Sequence, residues 1–351
     1  MSLLSFTQAE FVDQMASCFG KGRRHGARLY QEWMRKGHLD DLSWAEPQAL
    51  PLVEKMISQM PKEIDPVSKV LEEGDVIKFL IRLQDGLETE SVIIPMKAGL
   101  TLCVSSQVGC KMGCAFCETG RMGLIRSLKV EEITQQLFIA RHVLKKPIRN
   151  VVFMGMGEPF DNYDAVMQAI KVMTDPSGFG LGPRHITVST SGVVDALDRF
   201  TVEADPAIHL AVSINAPGDL IRTKIMPVGR KWSMSELKEA LYRYVQKGRR
   251  EILVEYVLLK DLNDTKEHAE QLAEYLKGLP VKVNLIPYNS QRRTRYSPPE
   301  MEKQEAFFQT LREKNYQVNL RHHKGRGIMA ACGQLGNKVG NKEIQKSLRC
   351  V

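Results

Sequence analysis

No uncharged run in this chain of 351 residues is longer than 13 residues, Ala98 to Cys110 being one such run. A membrane helix requires about 18 or more apolar residues, so the chain is expected not to span a bilayer. The first ten residues carry neither a basic stretch nor a long apolar stretch with a small-residue cleavage site, and the expectation is a cytoplasmic protein. Internal repeats and low-complexity tracts are absent. The seven cysteines do not form the pattern of a disulfide framework: Cys103, Cys110, Cys114 and Cys117 crowd into 15 residues, and Cys18, Cys332 and Cys350 stand apart. An odd number in a cytosolic chain points to metal or redox chemistry.

Net charge is +8, yet residues 1 to 289 contribute none of it. Residues 290 to 351 hold 13 Lys/Arg against 5 Asp/Glu. A second basic cluster lies at Lys21, Arg23, Arg24, Arg28, Arg35 and Lys36, opposed within residues 21 to 37 only by Glu32. Such patches attract polyanions by counterion release, and nucleic acid is the commonest such partner. The alternative is a set of solvated helix faces.

Residues 1 to 62 read as a small helical module, with Leu29, Trp33 and Met34, then Leu50, Val53 and Ile57, at helical spacing. Residues 63 to 97 shift to short strands around Asp85-Gly86, a hairpin signal, and are expected to connect. From about Ala98 onward, β-rich runs at 101–106, 150–154, 185–189, 208–214, 251–258 and 281–287 alternate with helical stretches near 131–145, 162–173, 193–200, 233–248 and 265–278. Six β/α units imply an α/β fold with parallel strands, a partial (β/α)6 barrel over residues 98 to 336, followed by a basic tail at 337 to 351. A doubly wound sheet is the alternative. In a β/α barrel the C-terminal strand ends form the active-site face, so Gly155 to Pro159, Ser189 to Gly192, Ser213 to Asn215 and Pro287 to Asn289 should converge on one mouth.

Cys110-Lys-Met-Gly-Cys114-Ala-Phe-Cys117 follows the first of these strands. Three thiolates can hold three irons of a 4Fe-4S cluster and leave the fourth iron open to an exogenous ligand. A structural zinc site completed by Cys103 or a distant histidine is the competing assignment. Cys332, taken alone, reads as a small buried hydrophobe more readily than as a nucleophile.

At this point the chain resembles the radical S-adenosylmethionine (SAM) superfamily. Cys103-Val-Ser-Ser-Gln-Val-Gly-Cys110, Phe153-Met-Gly-Met-Gly-Glu158-Pro159, Ser189-Thr-Ser-Gly192 and Ala330-Ala-Cys332-Gly-Gln-Leu335 are similar to motifs of the RlmN/Cfr family of RNA adenine methyltransferases. Ala27-Arg-Leu-Tyr-Gln-Glu-Trp33 resembles that family's accessory helical RNA-binding domain. The resemblance implies one 4Fe-4S cluster on Cys110, Cys114 and Cys117, with SAM chelating the open iron and two SAM molecules used per turnover. It assigns SAM binding to Gly157, Glu158, Ser189, Ser213, Ile214, Asn215 and Asn289. It makes Cys332 the methyl carrier, Cys103 the thiol that releases the product with formation of a Cys103-Cys332 disulfide, and Glu90 the general base.

The implied substrate is an adenine carbon, carbon 2 ahead of carbon 8, in ribosomal or transfer RNA. The implied partners are that RNA and an electron donor such as flavodoxin or ferredoxin, with the protein itself a monomer. The base must leave its stack to reach the mouth, and Arg292, Arg293 and Arg295, just after Asn289, are expected to grip phosphates beside it. The chain departs from the family pattern at Glu118, Asn215 and the shortened segment Gly325 to Cys332. Two other readings remain: a catalytically divergent iron-sulfur RNA-binding protein, and a radical SAM enzyme with another substrate.

Overall fold

A computed structural model describes residues 2–60, 66–248, 251–291, 294–321 and 324–336. Arg292, Arg293 and the expected basic tail lie outside the described residues. Among the described residues there are twelve strands: β1 (Val67–Glu73), β2 (Val76–Arg82), β3 (Glu88–Met96), β4 (Gly99–Cys103), β5 (Gln107–Cys110), β6 (Gly123–Ser127), β7 (Ile148–Phe153), β8 (Ile186–Thr190), β9 (His209–Ser213), β10 (Ile252–Leu258), β11 (Val281–Pro287) and β12 (Gln317–Leu320). Ten of them form one open sheet in the order β1-β2-β3-β4-β7-β8-β9-β10-β11-β12, and β5 pairs with β6 apart from it.

All six anticipated strands are found, as β4 and β7 to β11, and each pairs in parallel with the next. Their interiors read as near-continuous Val/Ile/Leu runs because both faces are covered; Val151, Val188, Leu210, Val212, Val254 and Val283 have no exposed surface. A seventh parallel strand, β12, joins β11. It is only four residues long and alternates exposed with half-buried positions, which left its pattern faint in the sequence.

The hairpin predicted around Asp85-Gly86 joins β2 to β3. Gly86 adopts a left-handed φ of 81°, which glycine reaches without a Cβ clash. Leu83 N–H donates to Leu87 O at 2.7 Å across the turn. The segment is more than a connector: β1, β2 and β3 are antiparallel, and β3 pairs with β4, so they extend the main sheet.

Helices at Gln8–Phe19, Arg23–Lys36 and Leu50–Ser58 make up the N-terminal module. The first starts with a capping box between Thr7 and Glu10, and Gly20 ends it in the left-handed conformation. This module is not separate from the barrel, because its apolar face fills the same core. The Trp33 indole stacks on Phe138 with ring centroids 4.5 Å apart, and the Thr134 hydroxyl donates to Leu4 O at 2.6 Å. Among the described residues, no helix is long and apolar enough to cross a membrane.

Candidate active site

Cys110 ends β5, and Cys114 and Cys117 sit in the loop that leads into the helix Glu118–Met122. The three cysteines line one cavity at the C-terminal ends of the parallel strands, together with Gly157, Glu158, Ser189, Ser213, Asn215, Asn289 and Cys332. Nearly every residue assigned to the cluster or to SAM is thus gathered at one mouth. Ile214 is the exception: its side chain is fully buried and its carbonyl is taken by Arg222.

Burial pushes the Cys110 thiol up to about 12 and raises Cys114 and Cys117 as well, and the Cys117 sulfur adds to the rise at Cys110 and Cys114. Three buried thiolates are stable only with positive charge among them, and that is the chemistry of a metal-cluster donor set. Among the described residues, no three His, Cys, Asp or Glu side chains close around a point as tightly as one metal ion demands. Cys103 does not line this cavity, so the donor set that the motif offers there is three thiols, the number that a 4Fe-4S cluster with one open iron takes.

Backbone placement explains why short polar residues occupy the mouth. Gly157 has φ of 105°, and a Cβ there would lie 2.8 Å from the Gln107 nitrogen. The Gln107 side chain in turn accepts the Glu158 N–H at 2.9 Å. Glu158 is buried, which raises its carboxyl pKa, while the Ser191 N–H (2.8 Å) and Phe160 N–H (3.2 Å) bonds pull it back. Asn215 takes a left-handed φ of 57°, and its side-chain oxygen accepts Val257 N–H at 2.7 Å, tying the end of β9 to β10. Short amide side chains tolerate that backbone best after glycine.

Cys332 reaches the cavity on a loop, residues 324 to 336, that is pinned from several elements. The Asn289 amide donates to Cys332 O at 3.0 Å, and the Gln291 amide donates to Phe116 O and Gly333 O, both at 2.7 Å. The Thr119 hydroxyl donates to Leu335 O at 2.5 Å, and Gly336 N–H donates to Glu90 Oε2 at 3.0 Å. Cys332 is exposed to the cavity. The surrounding protein raises its thiol while Arg321 draws it down.

Cys103 and Glu90 stand behind this loop and do not line the cavity. Cys103 ends β4, pairs with Val92 across the sheet, and packs with Met156, Ala330 and Leu335. Burial pushes its thiol up to about 12, and the nearby Cys332 sulfur adds to that. Glu90, two residues before Val92 on β3, shares this face. It is 2% exposed, not the surface carboxylate that a strand position taken alone suggests.

Three contributors had no sequence motif. Lys78 forms an ion pair with Glu90, Nζ to Oε2 2.9 Å, and also donates to Met329 O at 3.0 Å. Arg222, 1% exposed, donates to Ser213 O (2.9 Å), Ser191 O (2.6 Å) and Ile214 O, so one guanidinium bridges the ends of β8 and β9. Burial would lower the Arg321 pKa, but Glu255, Cys332 and Cys103 outweigh it. Glu118, whose charge beside the cluster loop departs from the family pattern, is paired with Arg121, which also donates to Gln291 at 2.9 Å.

Residues 104–276 match the Radical SAM superfamily. The chain is 49% identical over 337 residues to the probable dual-specificity RNA methyltransferase RlmN 1 of Protochlamydia amoebophila, covering 96% of this chain and 94% of that one. It is 39% identical over 354 residues to the dual-specificity RNA methyltransferase RlmN of Vesicomyosocius okutanii, covering 99% and 98%. The crystal structure of a radical SAM methyltransferase from Sphaerobacter thermophilus superimposes with a TM-score of 0.87 at 36% identity, covering 95% of this chain and 98% of that one. The chain belongs to the radical SAM superfamily and, within it, to the RlmN family of RNA methyltransferases.

Proposed function

We propose that this radical SAM RNA methyltransferase acts on an adenine carbon, carbon 2 ahead of carbon 8, in ribosomal or transfer RNA, and that the methyl group passes through Cys332. The observation that carries this reading is the position of Cys332. It opens on the cavity lined by Cys110, Cys114 and Cys117, while Cys103 lies close behind the same loop. When bound, the 4Fe-4S cluster and SAM supply the methyl group and the one-electron chemistry that a weakly nucleophilic aromatic carbon requires.

The chain's own residues do the rest. Gly157, Glu158, Ser189, Ser213, Asn215 and Asn289 present hydrogen-bonding groups around the space for SAM. Cys332 takes up the methyl group as a thiolate and afterwards tethers the RNA base through that carbon. Arg321, the cation beside it, favours the thiolate form. Glu90 removes the proton from the attacked carbon. The Cys103 thiolate would then bond to the Cys332 sulfur as the carbon of the tether leaves with the bonding pair and takes up a proton, and once the base gives up the one unpaired electron left by radical addition, methylated RNA and a Cys103-Cys332 disulfide remain. A thiol reductant would return the Cys103-Cys332 disulfide to two thiols, and a one-electron donor such as flavodoxin or ferredoxin would supply the electron for the next cycle.

The two cysteines differ in what their loss does. Cys332→Ala should bind RNA reversibly and form no covalent species. Cys103→Ala should accumulate a protein-RNA adduct that survives denaturing electrophoresis, disappears with ribonuclease, and needs both SAM and intact Cys110, Cys114 and Cys117. Normal methylation by Cys103→Ala, read by mass spectrometry of the adenosines, would remove that cysteine from the reaction. An adduct in Cys332→Ala would overturn the tether.

A further inference from the structure

A groove of about 1550 Å³ lies at the other end of the barrel. It runs between the helix Arg23–Lys36 and the segments that lead into β7, β8 and β9. Arg149 belongs to the first turn of β7, and Arg184 and His185 immediately precede β8. The SAM loops follow the opposite ends of these strands. Since β7 has six residues and a strand rises ~3.3 Å per residue, about 20 Å of barrel separates groove from mouth.

Seven Lys or Arg side chains line the groove against one carboxylate, Glu32. Glu32 is already shared by Arg28, Arg35 and Lys36 on its own helix. Arg141 is committed to Phe179 O and Ile148 O. Lys145, Arg149 and Arg184 are exposed, and Lys146 is half-buried; none of the four has an ion-pair partner among the described residues. The crowding has an electrostatic signature in the two histidines of the groove. Burial lowers both, and Lys145 and Arg141 depress His142 further, as Arg149 and Arg184 do His185.

A groove of this size exceeds the roughly 300–1,000 Å³ of small-molecule pockets, and its unbalanced charge calls for a polyanion. An acidic electron-donor protein fits poorly, because it has to approach the cluster at the mouth. We infer that this groove is a second RNA-binding site, which holds the phosphate backbone of a segment remote from the base being methylated. The inference rests on the RNA methyltransferase reading above. The mouth then selects a base, and the groove selects RNA long or folded enough to reach around the barrel. Short RNA that fills only the mouth should be indifferent to it.

The test compares the anaerobically prepared, full-length enzyme with a variant carrying Lys145→Glu, Lys146→Glu, Arg149→Glu and Arg184→Glu. A second variant makes the same change in charge at exposed sites elsewhere: Lys247→Glu, Lys266→Glu, Lys277→Glu and Lys314→Glu. Each is given a short RNA hairpin and a full-length folded RNA containing the same target adenosine. The groove variant should bind the full-length RNA at least 10-fold more weakly at about 0.1 M salt. Its slope of log K against log salt should fall by about 1.4 to 3.6 units, as expected for two to four lost phosphate contacts at about 0.7–0.9 per contact. Its turnover on the hairpin at saturation should be unchanged.

Equal losses in both charge variants would reduce the effect to net charge and overturn the site. So would equal losses on both RNAs. Unchanged RNA affinity, with slow turnover on a protein electron donor but normal turnover on a chemical reductant, would overturn it in favour of an acidic protein partner. If the unmodified enzyme methylates neither RNA, the functional reading itself fails, an outcome distinct from all of these.

Discussion

Lys78 and Glu90 form a salt bridge inside the antiparallel part of the sheet, Nζ 2.9 Å from Oε2, with 6% and 3% of their side chains exposed. The same two side chains hold both ends of the Cys332 loop, Lys78 at Met329 O and Glu90 at Gly336 N–H. The pair therefore joins the stability of the antiparallel strands to the placement of Cys332.

Lys78→Met should destabilise the protein by about 3–5 kcal/mol, because it strands a buried carboxylate without its cation. Glu90→Gln strands the ammonium in the same way. The double variant should recover a large part of the loss, because neither charge remains. Chemical denaturation of the three variants checks this. Strictly additive losses would mean that the two groups do not depend on each other.

Burial keeps the Cys103 thiol protonated in the folded protein up to about pH 12, whereas an unfolded cysteine ionises near ~8.5–9. Between those values the unfolded chain binds fewer protons at this site than the folded one, so stability falls as pH rises. Below that window the site contributes its full share. Thermal unfolding of the metal-free protein should fall less steeply from pH 9 to 11 in Cys103→Ala than in the unaltered chain. In the same protein an alkylating agent at pH 8 should modify exposed Cys18 well before Cys103.

Arg222 is buried with three carbonyls as acceptors of its guanidinium. Arg222→Met leaves those carbonyls without a donor at about 1–3 kcal/mol each, less whatever water recovers. A loss of about 3 kcal/mol or more is expected, together with a lower iron content after anaerobic reconstitution, because the Cys114 thiolate loses a nearby cation. Denaturation and iron analysis of the same preparation read both effects. Full iron content at unchanged stability would mean that Arg222 supports neither the strand ends nor the Cys114 thiolate.

Prepared without oxygen, the protein should be brown and hold about four irons per chain, with a low-potential cluster signal that shifts on adding SAM. Alanine at Cys110, Cys114 or Cys117 should abolish the colour. Stoichiometric zinc in place of iron would contradict the cluster, and Cys103→Ala retaining full metal would separate Cys103 from the ligand set.

Much of the site was legible because its signals are local. Cys110, Cys114 and Cys117 fall within eight residues, so one loop suffices to bring them together. The polar ends of successive strands could be placed at one mouth because parallel β/α units all point the same way. Glu90 was legible only through resemblance, since a carboxylate in Glu90-Ser91-Val92 carries no sign of burial on its own. Lys78 and Arg222 gave no sign at all: a lysine in a strand and an arginine in a short helix ordinarily reach solvent. The short strand β12 escaped for a related reason, its four residues being too few to establish a period.

The sequence by itself determined the α/β alternation, the cysteine motif and the family, because each is written in spacing over a few residues or in the order of separated motifs. Tertiary structure decided which of these residues meet. Cys332 lies 222 positions after Cys110, and only the loop pinned by Asn289, Gln291, Thr119 and Glu90 brings it to the cluster cavity. Tertiary structure also merged the N-terminal helices with the barrel core and assembled the basic groove from residues between Arg28 and Arg184. The reason is physical: periodicity and motif spacing are properties of a segment, whereas burial of a charge and convergence of side chains depend on contacts between segments far apart in the chain.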